Sequence, residues 1–109
     1  MRKLKTADLF SFARVIKASG IREDLVKYLG TLKSDSDREQ VGMTTILMII
    51  EALSDKKAEA DLYDALGAVF ECDVESMPPS ELFSNLKQMA EENDLANFFN
   101  SVFGTLGKN

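Results

Sequence analysis

The sequence contains no histidine, and with it go the commonest general base, the commonest metal ligand and every Ser-His or Cys-His nucleophile pair. Most familiar enzyme mechanisms are lost on that ground, and no catalytic residue, metal or cofactor is expected. The single cysteine, Cys72, has no partner for an internal disulfide, which favours a reducing compartment. It lies between Glu71 and Asp73 and is read as structural. The longest uninterrupted apolar run, Ile46-Leu47-Met48-Ile49-Ile50, is far short of the ~20 residues that a spanning helix requires, so no membrane is crossed. Arg2, Lys3 and Lys5 imitate the start of a signal peptide, but Asp8 and Arg14 interrupt its would-be apolar core. A cytoplasmic location is expected. The six glycines spell neither GxxxxGK[ST] nor GxGxxG, so no phosphate-cradling loop is present.

What remains is a chain of 109 residues, 45% hydrophobic and 28% charged, with a composition that suits one globular domain. At this length folding buries roughly two-thirds of the surface exposed by the unfolded chain, enough for a core without metal or disulfide. The net charge of −5 is unevenly placed. Residues 1–33 hold eight Lys or Arg against three acids, while residues 34–109 hold five against fifteen. Such a gradient is satisfied within one molecule or between copies stacked head to tail. In the second case Arg2, Lys3 and Lys5 are candidate subunit contacts, and a homo-oligomer follows.

Apolar residues recur at the helical period nearly throughout, and no stretch alternates long enough for a strand. An all-α domain spanning 1–109 is expected, of five to six helices around a buried central one. Their approximate extents are 7–18, 21–29, 38–53, 55–71, 80–92 and 94–106. Thr6 is the candidate N-cap of the first, and Ser19-Gly20 its stop. The cluster Ser34-Asp35-Ser36-Asp37 forms a loop able to cap the third helix, in which apolar residues almost surround the axis. Ile46 and Ile50 are expected to be deeply buried there. Pro78-Pro79 break the chain before the fifth helix, and Asp94 is the candidate cap of the sixth.

The acidic pairs Glu23-Asp24, Asp61/Asp64 and Glu91-Glu92 match no metal-binding spacing and read as solvated helix faces. Ile16, Gly20 and Val26 approximate a helix-turn-helix, yet its second helix would bring Glu23 and Asp24 against phosphates, so nucleic acid is not an expected partner. The most regular stripe is Leu95, Phe98, Phe99, Val102, Phe103 and Leu106. It either completes the core or, as an amphipathic segment near the chain end, lies in another molecule's groove, which makes these six the candidate partner-binding residues.

The stretch Leu9-Phe10-Ser11-Phe12-Ala13-Arg14-Val15-Ile16-Lys17-Ala18-Ser19-Gly20-Ile21, the central helix, and Pro79-Ser80-Glu81-Leu82-Phe83-Ser84-Asn85-Leu86-Lys87 leading into Asp94-Leu95-Ala96-Asn97-Phe98-Phe99 together resemble tail assembly chaperones of long-tailed bacteriophages and prophages of Gram-positive bacteria. The resemblance implies a small helical, non-enzymatic protein that coats the hydrophobic tape-measure protein and helps tail-tube protein polymerise around it, acting in the host cytoplasm and absent from the finished virion. The alternative is a small acidic helical adaptor or regulator that binds one folded protein partner.

Overall fold

Six helices form in the computed structural model, which describes residues 2–32, 37–53 and 55–106, with side chains through 103. They are α1 (Thr6–Ser19), α2 (Arg22–Gly30), α3 (Arg38–Ala52), α4 (Lys56–Phe70), α5 (Pro79–Glu92) and α6 (Leu95–Leu106). No strand occurs among the described residues, and the molecule measures 35 × 29 × 24 Å. No helix among them is long and apolar enough to cross a membrane.

Local chemistry sets most boundaries. Asp37, Asp55 and Asp94 each accept the backbone N–H groups left over at the starts of α3, α4 and α6, from Glu39 and Gln40 (3.0 and 3.3 Å), Ala58 (2.7 Å) and Asn97 (3.1 Å). Residues 34–36 of the proposed capping cluster lie outside the described residues. Gly20 closes α1 at φ 70°, donating to the Ile16 carbonyl at 3.2 Å. Pro79 occupies the first position of α5, where its missing N–H costs nothing.

The helix ends fall within one residue of expectation, and two of the differences have a local chemical cause. The N-cap of α1 is Lys5, not Thr6. Asp8, three residues on, reaches back to accept the Lys5 N–H at 2.8 Å, the carboxylate half of a capping box, and this starts the helix one residue earlier. The end of α4 is set by Glu71, which adopts φ 61° and donates its N–H to the Gly67 carbonyl at 2.8 Å, a left-handed turn made without glycine.

α1 packs against α4 and α6 and also touches α2 and α3, while α3 packs against α5 and α6. The core lies where these meet: Phe12, Val15 and Ile16 of α1, Ile46 and Ile49 of α3, Leu66 and Val69 of α4, Leu86 and Met89 of α5, and Leu95 and Phe99 of α6. Thr45, fully buried, spends its hydroxyl on the Val41 carbonyl at 2.9 Å, so no polar atom is stranded there. Ile46 is fully buried as expected. Ile50 is not: it is half-buried, because α3 turns Val41, Thr45, Ile46 and Ile49 inward and leaves Ile50 at the edge of a cleft.

Candidate functional site: an apolar cleft between α3, α4 and α5

The cleft exists because of a packing choice. α4 packs on α1, α3 packs on α5, and neither α3 nor α5 packs closely on α4. The gap encloses about 290 Å³. Leu62 and Leu66 of α4 and Val74 of the connector, all buried, form its floor. Half-buried Ile50 of α3, Leu53 just past its end, Tyr63 of α4 and Leu82 of α5 form its walls. The one charged lining residue is Glu59, half-buried in the first turns of α4. A concave surface of this kind takes one or two large apolar side chains from outside. No set of three or more Cys, Asp or Glu side chains among the described residues converges as a cation site. Cys72 is exposed, on the lip of a second hollow that shares Tyr63 and Val74 with the cleft.

The terminal stripe points inward. Leu95, Phe99, Val102 and Phe103 are buried in the core, and Phe98 is half-buried against it. Phe12 and Phe98 meet edge to face at 5.6 Å, Phe12 and Phe99 at 5.8 Å, and Phe98 and Phe99 at 5.4 Å, the geometry in which one ring's positive edge meets another's negative face. In this fold the described part of the stripe is interior; the side chain of Leu106 lies outside the described residues.

Of the three candidate subunit-contact residues, Arg2 is committed within its own chain. Its Nη1 and Nη2 donate to both oxygens of Asp8 at 2.7 and 2.8 Å, and its backbone N–H donates to the Val69 carbonyl at 3.1 Å, pinning the segment before α1 to α4. Lys3 and Lys5 are exposed. Burial pushes the Asp8 carboxyl upward, but the Arg2 hydrogen bonds, the Lys5 amide and the two nearby positive charges outweigh it and hold Asp8 below the usual carboxylate range. The hydrogen bonds that Arg2 donates to Asp8 correspondingly raise Arg2.

No family model, no curated protein and no solved structure matches the chain.

The sequence pattern alone does not single out the cleft. Leu53 and Val74 sit in connectors, and Tyr63 lies beside the α4 stripe instead of on it, so the three look incidental until tertiary packing gathers them.

Proposed function

We propose that the protein is a non-enzymatic assembly chaperone that shields apolar helical segments of a tape-measure protein while tail-tube protein assembles around it. The observation that carries this reading is the cleft of Ile50, Leu53, Leu62, Tyr63, Leu66, Val74 and Leu82, an apolar basin left open beside the core. Exposed Phe83, the neighbour of Leu82 on α5, adds apolar surface to the same helix. The resemblance over α1, α3 and the segment from α5 into α6 supplies the identity of the partner. A basin of about 290 Å³ covers only a short stretch of helix, so many copies are needed along one long client, and the exposed Lys3 and Lys5 are available for contacts between neighbouring copies.

The test is site-specific photo-crosslinking from position 82 in cells that produce the chain together with a tape-measure protein. Crosslinks to apolar helical segments of the tape measure are expected, and Leu62→Asp should abolish them. Crosslinks confined to one folded surface of another protein would favour the adaptor reading, and none to the tape measure would overturn the chaperone reading.

A further inference from the structure

The cleft is apolar, but its surroundings carry charge of one sign. Residues 58–86 contain seven carboxylates and no Lys or Arg, and they build α4, the connector and the first half of α5. On the side of α4 that faces α1 the charges are balanced: Asp55 and Asp61 share a hollow with Arg14, Lys17 and Lys57. On the cleft side they are not. The Glu59 carboxylate lines the cleft with no hydrogen bond or ion pair to any described residue, its backbone N–H being spent on the Asp55 carbonyl. Beyond Tyr63, the adjoining hollow is rimmed by Asp64, Asp73 and Glu75, and neither it nor the cleft is lined by a cation. Among those three, Asp73 accepts a hydrogen bond from the Ser76 hydroxyl at 2.8 Å, whereas the carboxylates of Asp64 and Glu75 have no partner among the described residues.

We infer that the occupant of the cleft is a cationic amphipathic helix: two large apolar side chains on one face enter the basin, and Lys or Arg about one turn away meet Glu59 and the Asp64–Glu75 rim. This rests on the chaperone reading and narrows its partner chemistry. The physical reason is desolvation. A purely apolar helix laid over the cleft would strip water from the Glu59 carboxylate and return nothing, and an acidic helix would add like-charge repulsion. A cationic helix returns an ion pair at the cleft edge and is drawn in from a distance by the acidic rim. Apolar contact then supplies affinity, and charge supplies selection among the many apolar helices of a long client.

The inference is tested with three synthetic, amidated, fluorescein-labelled peptides of about 18 residues, long enough to populate helix. One carries Leu at two positions four apart with Lys on the flanking turns. The second replaces Lys with Glu, and the third keeps Lys but replaces the two Leu with Ser. Binding to the full chain is followed by fluorescence anisotropy. The Leu/Lys peptide is expected to bind about tenfold tighter than the Leu/Glu peptide at low salt. That preference should fall to about threefold or less in the isosteric triple variant Glu59→Gln/Asp64→Asn/Glu75→Gln and at high salt, where exposed charges are screened. Equal binding of the Lys and Glu peptides overturns the charge inference and leaves the cleft reading standing. Equal binding of the Leu/Lys and Ser/Lys peptides shows bulk charge attraction and overturns docking in the cleft. Binding of none of the three overturns the inference together with the reading on which it rests.

Discussion

Gly42 on α3 and Leu95 at the start of α6 approach so closely that a Cβ added to the glycine would stand 2.9 Å from the Cβ of Leu95 and 2.9 Å from its Cδ1. Two effects of opposite sign meet at this point. Replacing glycine by alanine inside a helix gains about 1 kcal/mol in backbone propensity, whereas an added methyl in a filled core costs about 1–3 kcal/mol. The nearest atom belongs to the stem of Leu95, which is 1% exposed and whose helix is anchored by the Asp94 cap, so it cannot swing aside. Gly42→Ala is therefore expected to be net destabilising by about 1–2 kcal/mol in urea denaturation. Leu95→Ala removes the Cγ and Cδ1 contacts, so the two losses should combine to less than their sum in a double-mutant cycle. A stabilised Gly42→Ala would mean that α6 yields.

The Arg2–Asp8 pair holds two distant parts of the chain. Asp8 is 1% exposed, accepts from Arg2 twice and caps α1 through Lys5, while Arg2 itself is tied to Val69. Asp8→Asn removes the charge but keeps the shape, leaving a buried amide facing the guanidinium, and should cost about 2–3 kcal/mol. The pH dependence follows from the direction of the shift. The Asp8 carboxyl sits lower in the folded protein than in the unfolded chain, so its stabilisation is complete above about pH 4 and is lost as pH falls further, through the folded-state value. Acid unfolding followed by circular dichroism should show this loss in the wild type and a shallower one in Asp8→Asn.

The existence and order of all six helices were legible from apolar period and capping residues, because both signals are local. Asp37 and Asp94 cap the helices they precede as expected, and Gly20 ends the first, while Asp55, placed inside the fourth helix by its period, proves to be its cap. Missing from the sequence was anything fixed by a distant partner. Thr6 looked like a cap, yet Asp8, neutralised by Arg2, moved the start of α1 to Lys5. Apolar residues around the whole of α3 announced burial without stating its direction, so Ile46 and Ile50, one turn apart, looked equivalent. The cleft belongs to no single segment. It is the space left when α4 chooses α1 as its packing partner and α3 chooses α5.

That distinction within α3 can be measured. Ile46 is fully buried and Ile50 is half-buried at the cleft wall. Ile46→Ala should cost about 2–5 kcal/mol, the loss of a closed core site with its residual cavity. Ile50→Ala removes atoms that already border open space and should cost about 1–2 kcal/mol. Comparable losses in thermal and urea unfolding would mean that the cleft is closed in solution.

The final helix decides between interior and docking surface. Detaching α6 would expose Leu95, Phe99, Val102 and Phe103 and break the edge-to-face cluster with Phe12. At ~1.5–3 kcal/mol for each large apolar side chain, release costs on the order of 10 kcal/mol, comparable with the whole stability of a domain of this size. Opening of α6 alone is then no cheaper than global unfolding. Phe99→Ala, which empties the centre of the cluster, should lower stability by about 3–5 kcal/mol and reduce the melting temperature of the entire bundle. Native-state hydrogen exchange supplies the second measurement. The amides of Phe99 and Val102 should be protected to the same free energy as those of Val15 and Ile16 in α1, as expected of one cooperative unit. Protection of α6 several kcal/mol below that of α1 would return Leu95, Phe98, Phe99, Val102 and Phe103 to the role of a detachable binding helix.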